Sequence, residues 1–260
     1  PLHAVGGLEG VAKLARAKGS IGEIAVTRDR RTGAYYYEQA DSYQSQADRN
    51  GISLAHYIHV LYGLALQARS RTVLMIGCSD GSLATMLAEA GRDVTCVDVF
   101  PASFELARKY FFLSPLVRCV VADGAAYMNR RQQRYDLIVL DAFIGTRIPE
   151  HLRSPGFIAK TRDRLTAGGL LLMNVVLRDN RDETADRIAA AMEDAGLRVQ
   201  ILDTPTDVER NAIVIGSLGG ALRKPMLLVP PAIMRRTLVA EIEMMQFRPW
   251  RRRGFRLRGA

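Results

Sequence analysis

The sequence predicts an α/β protein built on a doubly wound, mostly parallel seven-stranded sheet of Rossmann-like type. Three observations carry this prediction. From residue 72 onward, apolar runs of strand length alternate with segments of helical periodicity, the pattern of parallel strands joined by crossover helices. The stretch VLMIGCSDGSLATMLAEAG, residues 73–91, climbs an apolar strand, turns at a glycine and enters a helix. Acidic residues then follow four consecutive strands, at the end of the sheet where ligands bind in such folds.

Taken in order, Leu8 to Ala17 has apolar residues at helical spacing and predicts a short helix. In GEIAVTRDRRTGAYYYEQ, Ile24 and Val26 alternate with polar neighbours, residues 30–33 make a turn, and Ala34 to Tyr37 returns as a second strand. SLAHYIHVLYGLAL, residues 53–66, predicts a helix with Ser53 as its cap. Strands follow at 72–76, 94–98, 117–121, 136–140 and 169–176, and helices at 82–90, 102–110, 123–130, 154–165 and 183–195. RVQILDT and NAIVIGS make a closing antiparallel pair around the polar TPTDVER. The chain divides into a helix and β-hairpin appendage (1–54), a nucleoside-binding domain (55–220) and a basic C-terminal helix and tail (221–260).

Composition excludes several classes. The 260 residues are 48% hydrophobic with a mean hydropathy of −0.02, and the longest apolar run, LLLMNVVL, has the length of a buried strand against the roughly 18–20 residues of a membrane span. The start PLHAVGGLEGVAKLARAKG, which lacks Met, has no basic region followed by an apolar block, so no secretory signal is expected and the expected location is the cytoplasm. Cys78, Cys96 and Cys119 lie in or beside strands without CxxC spacing, which predicts buried thiols, no disulfide and no metal. Of the net charge of +9, the last forty residues hold ten Lys or Arg and two Glu, or +8. RPWRRRGFRLRGA reads as a solvated tail, and nucleic acid binding is expected only through it.

The glycine turn lacks the third glycine of a dinucleotide fingerprint, its place being taken by Leu83 and Ala84. Gly77 suits the tight turn, with Ser79, Asp80 and Gly81 completing the loop. Asp98, twenty-one residues after Gly77 (98 − 77), ends the second strand beside Val99, the spacing at which an acid accepts ribose hydroxyls. Asp123-Gly124 follows the third strand, and Asp141 the fourth. A pyrophosphate needs helix N-terminal amides free of a competing anion, and Asp80 stands where it would approach. A positively charged nucleoside fits instead: S-adenosylmethionine or its decarboxylated form, with Asp98 on the ribose and Asp123 on the adenine amino group. Asp80 and Asp123 also stand where helix caps belong, so each keeps a capping reading beside the ligand reading. An unpaired acid at the end of the apolar YDLIVLD is costly, which favours a site role for Asp141.

These residues resemble the spermidine synthase (polyamine aminopropyltransferase) family, on the class I methyltransferase-like fold. The resemblance lies in IGCSDG, VDVFPASFELARKYF, ADGAAYM, YDLIVLDAF, IPEHLRSPGF and LTAGGLLLMNV, and runs over about residues 35–180. It implies that Asp80, Asp98, Asp123 and Gly124 contact the nucleoside, and that Asp141 orients and deprotonates the attacking amine. His56 lines up with the middle of the family's Tyr-His-Glu, and Gln44 or Gln46 with a glutamine preceding it. A polyamine acceptor and a homodimer through the N-terminal strands are implied as well.

The chain departs from that family on the acceptor side. Asp141-Ala142-Phe143-Ile144 replaces Asp-Ser-Ser/Thr-Asp, so Ile144 stands where a second acid contacts the polyamine; Ala55 and Tyr57 flank His56 in place of Tyr and Glu. The leading reading is aminopropyl transfer from decarboxylated S-adenosylmethionine to an amine, with Asp141 as base helped by Tyr57 or His56. Methyl transfer from intact S-adenosylmethionine to a small molecule, and a non-catalytic nucleoside-binding homologue, are the alternatives. His59 and His151 read as structural or surface residues.

Overall fold

Two sheets form around the strands just described, in a computed structural model that describes residues 10–19, 22–39, 42–68, 70–130 and 132–250. The first sheet is antiparallel and four-stranded: β1 (Val11–Gly19), β2 (Gly22–Asp29), β3 (Tyr35–Gln39) and β4 (Ser42–Ala47), side by side in that order. The helix expected over Leu8 to Ala17 is therefore a strand from Val11 onward, with residues 8 and 9 outside the described residues. Pairing of Val11 with Asp29 through Gly19 with Gly22 supplies its backbone hydrogen bonds, and a bulge between Lys13 and Ala15 resets the register. Ala15 and Ala17 then pack at period two on a cluster of Ile24, Val26, Tyr37, Ala47, Phe100, Leu106 and Phe111. Tertiary pairing overrides the local helical spacing here.

Asp48 closes this sheet onto the rest of the chain. Its carboxylate accepts hydrogen bonds from the amides of Asn50 (2.8 Å), Ile52 (3.0 Å) and Ala232 (2.6 Å), joining the linker to the C-terminal segment. Helix α1 (His56–Gln67) follows, with Ala55 rather than the expected Ser53 at its N-cap. Ser53 instead accepts from the Ala55 amide through its hydroxyl (3.1 Å), and its carbonyl meets His59 Nε2 (2.8 Å). The buried His59 is structural, as the sequence suggested.

The larger sheet uses β5 (Thr72–Ile76), β6 (Asp93–Asp98), β7 (Arg118–Val121), β8 (Tyr135–Leu140) and β9 (Leu165–Leu177) as parallel strands. β10 (Arg198–Asp203), β11 (Arg210–Ser217) and β12 (Gln246–Arg248) extend it antiparallel, giving the order β12-β10-β11-β9-β8-β5-β6-β7. The eighth strand, β12, is one the sequence did not suggest.

Each central strand is buried on both faces. Val73, Met75, Leu137, Val139 and Leu172 belong to the cluster that includes α1 and α2 (Ser82–Glu89). Leu74, Ile76, Ile138, Leu140, Leu171 and Met173 face the opposite layer, which draws on α4 (Gly124–Arg130), α5 (Glu150–Arg153), α6 (Pro155–Asp163) and α7 (Thr184–Asp194). Helix α3 (Pro101–Tyr110) follows β6 and carries the first sheet. Double burial explains the near-continuous apolar runs.

Helix α8 (Arg235–Met244) leads to β12, where Arg248 donates to Asp203 (2.7 Å) and twice to Asp186 (3.0 and 3.1 Å), while Arg210 completes the shell of Asp203. One arginine of the basic C-terminal stretch is thus an internal tie, and residues 251–260 lie outside the described residues. No described helix is long and apolar enough to cross a membrane.

Candidate functional site

The order of strands reverses between β5 and β8, since the chain runs outward through β6 and β7 and then returns to β8. A crevice forms there, at the carboxyl ends of the strands. Gly77, just after β5, sits at φ +100°, and a Cβ on it would lie 2.2 Å from the carbonyl oxygen of Asp141. The turn and the end of β8 therefore touch backbone to backbone, and only glycine fits between them. Ser79 at φ +50° and Gly81 at φ +74° complete the left-handed turn into α2.

A cleft opens above this crossing, between the carboxyl ends of the strands and the first sheet. Gly77, Ser79, Asp98, Val99, Asp123, Gly124, Asp141, Tyr57 and Gln44 line it, as nine of the twelve residues singled out in the sequence. The other three stand elsewhere. Asp80 is buried at 2% exposure behind the loop, Gly81 packs against Leu113, and His56 turns away, with its Nδ1 3.3 Å from Glu241 of α8. The expected help of His56 in proton transfer has no geometric support, because its ring meets Glu241 of α8 and does not line the cleft.

Asp98 ends β6 with Oδ2 accepting from the Cys78 amide and Oδ1 from the Phe100 amide, both at 2.8 Å. It anchors the glycine loop, and Oδ1 also accepts from the Ser103 hydroxyl at 3.5 Å, while Oδ2 keeps a lone pair for a ligand hydroxyl. Burial pushes its carboxyl above the ordinary value, against those amide bonds. Asp123 does cap α4, accepting from the Ala126 amide at 2.9 Å, and its second oxygen meets His151 Nε2 at 2.8 Å. Burial pushes this carboxyl up, but the bonds from Ala126 and His151 outweigh that and hold it low.

Among the described residues, Asp141 is the wall carboxylate with one oxygen that no side chain or amide holds. Asn174, buried in the middle of β9, donates to its Oδ1 at 2.8 Å and accepts in turn from Asn211 Nδ2 of β11 at 3.0 Å. Burial raises the Asp141 carboxyl to about 6, with the Asn174 bond opposing and the charge of Asp80 adding to the rise. Asp80 is likewise raised by burial to about 6, its Oδ1 accepting from the Ser82 amide at 2.9 Å and its Oδ2 having no partner among the described residues. Burial and both carboxylates hold the Tyr57 hydroxyl well above its ordinary value, so it stays protonated as a hydrogen-bond donor.

Several lining residues were not singled out in the sequence. Tyr37 and Gln39 of β3 form one wall with Gln44 of β4, whose amide donates to the Gly145 carbonyl at 3.0 Å. Tyr37 hydroxyl meets Ser103 at 3.0 Å, fixing the first sheet to α3. His151, read from the sequence as structural or surface, is in the cleft. Asn174 had a visible signal, a single amide within the apolar LLLMNVVL; His151 had none.

The described lining residues include three carboxylates and no Lys or Arg. Such a cleft attracts a cation and repels phosphate. The Asn174–Asp141 bond gives a direct test: Asn174→Ala is expected to raise the Asp141 titration by about one pH unit, the loss of a hydrogen bond to a charged acceptor. Carboxyl carbon NMR across pH 4–8 reads it, and an unmoved titration would show that the bond contributes nothing.

A family model described as a methyltransferase domain matches residues 73–169. A polyamine aminopropyltransferase of Vibrio vulnificus (strain CMCP6) is 32% identical over 143 residues, 52% of this chain and 48% of that protein. The matched stretch thus spans about half the length of that curated relative. A probable spermidine synthase from Corynebacterium glutamicum ATCC 13032 superimposes with a TM-score of 0.75 at 16% identity, over 90% of each chain. A spermidine synthase in complex with the transition state analogue AdoDATO gives 0.60 at 18% identity, over 80% of this chain and 72% of that one. The structural likeness establishes the fold, and the methyltransferase-domain match takes in the glycine turn with Asp98, Asp123 and Asp141.

Proposed function

We propose that this spermidine-synthase-like chain, on a methyltransferase fold, moves the aminopropyl group of decarboxylated S-adenosylmethionine onto an amine. The observation that carries the reading is the acidic lining, which among the described residues includes no Lys or Arg. A donor bearing a sulfonium and a primary ammonium is matched by such a wall, whereas a methionyl carboxylate meets no Lys or Arg there. Asp98 takes the ribose hydroxyls, and the Asp123–Gly124 turn borders the base, beside the exposed Val99. The relatives named above support the same reaction class.

The chemistry asked of the protein is modest. The amine lone pair attacks the carbon bound to sulfur, the N–C bond forms, and the C–S pair departs on sulfur as the neutral thioether methylthioadenosine. Since a sulfonium is already a good leaving group, alignment of the two reactants and removal of the amine proton are the main contributions. Asp141 accepts that proton through its oxygen not held by Asn174, and the Tyr57 hydroxyl positions the nitrogen.

The methyltransferase-domain match over 73–169 favours methyl transfer from the intact donor as the second reading, because that stretch holds the donor half that both reactions share. Isothermal titration with both donors separates them. Binding of the decarboxylated donor at least tenfold tighter is expected; a preference for the carboxylated donor overturns the proposal in favour of methyl transfer.

A further inference from the structure

The carboxylates that line the cleft, Asp98, Asp123 and Asp141, follow β6, β7 and β8. Asp98 is committed to the Cys78 and Phe100 amides, and Asp123 to Ala126 and His151. Asp141 in the wall and Asp80 behind it remain to balance the sulfonium and the ammonium of the donor. The wall beyond Asp141 continues as Ala142, Phe143, Ile144 and Pro149. Ile144 is 43% exposed although it borders the cleft, a cost an isoleucine recovers only when something apolar covers it.

This wall is held in place. The Ile144 amide donates to the Arg147 carbonyl at 2.9 Å, and Gln44 donates to Gly145 at the tip of the same turn. Ala142, Phe143, Ile144 and Pro149 bring no carboxylate to a distant ammonium. Gln39 and Gln44 opposite are neutral amides.

We propose that the acceptor is a primary monoamine with an uncharged, apolar distal end, an alkyl or arylalkyl amine, and that Ile144 sets this selectivity. The inference rests on the aminopropyl-transfer reading above. Its nitrogen reacts at Asp141 as already described, while its tail lies on Phe143 and Ile144. A linear diamine would instead bring a second ammonium to an apolar wall, where an unpaired charge is strongly disfavoured.

The full chain with decarboxylated S-adenosylmethionine, given hexylamine and 1,6-diaminohexane in one vessel, tests this by mass spectrometry of both aminopropylated products. The two amines match in length and differ only in the distal group. The expected kcat/KM ratio favours hexylamine by at least tenfold, and Ile144→Asp, at an exposed turn position, is expected to reverse it. Wild-type preference for the diamine, or equal use of the two, overturns the inference while leaving aminopropyl transfer standing. A preference unchanged by Ile144→Asp overturns the assignment to Ile144. If neither these amines nor a wider amine panel releases methylthioadenosine, the underlying reaction fails and takes the inference with it.

Discussion

Asp141→Asn is expected to lower kcat by about 10²–10⁴-fold, the range contributed by a positioned proton acceptor, while donor affinity changes by no more than about tenfold. The asymmetry follows from geometry. Asn174 holds Asp141 Oδ1 from inside the sheet, so an Asn at 141 keeps the shape of the wall and loses only the basic oxygen and its charge. Asp80, in the layer behind, still answers the sulfonium. The pH dependence has a definite sign. With the carboxyl raised to about 6, Asp141 is protonated and unable to accept below that pH, so kcat/KM should fall on the acid side with a midpoint near 6. A bound sulfonium favours the carboxylate, so the corresponding limb of kcat should lie lower. Rapid-quench assays with product detection by mass spectrometry measure both profiles. Turnover in Asp141→Asn equal to wild type would falsify the assignment of the base.

The parallel strands were legible because burial on both faces leaves uninterrupted apolar runs, and the three acids of the cleft, Asp98, Asp123 and Asp141, were legible because they follow the ends of those strands. Other features were set by contacts distant in sequence. β1 has apolar residues at helical spacing, and only its partner β2 decides that Ala15 and Ala17 face inward as a strand. β12 has three residues, too few to carry a period. Asp80 looked like a cleft residue, yet the left-handed turn through Ser79 and Gly81 carries its side chain behind the loop. His56 lies one residue from the cleft-lining Tyr57, but the 100° step of a helix takes it to α8 and Glu241. Asn211 reaches Asn174 because β11 pairs with β9, a register that no local pattern encodes. The second row of the site, which orients Asp141 and charges the loop, is a product of the sheet order.

Asp80→Asn is expected to make the protein more stable at neutral pH while weakening donor binding. Asp80 is 2% exposed, and its Oδ2 has no hydrogen-bond partner among the described residues, so ionising it removes solvation that the hydrogen bonds at Ser82 replace only in part. Its carboxyl rises from 3.8 to about 6 on folding. Between those values the native chain holds more protons than the unfolded one, so this site's contribution is fully present below about pH 4 and is lost as the pH climbs through 6. The loss amounts to about 3 kcal/mol, at 1.36 kcal/mol for each pH unit. An Asn still accepts from the Ser82 amide and carries no charge, so urea unfolding should show Asp80→Asn more stable than wild type by about 1–3 kcal/mol at pH 8 and nearly equal at pH 4. The same change removes a negative charge whose field reaches Asp141, and a cationic donor should bind about tenfold more weakly. A buried, unsatisfied carboxylate retained against its own folding cost is explained by a ligand that needs the charge. If Asp80→Asn stabilises the chain without weakening the donor, Asp80 is no part of the binding site and the sulfonium must be balanced by Asp141 alone.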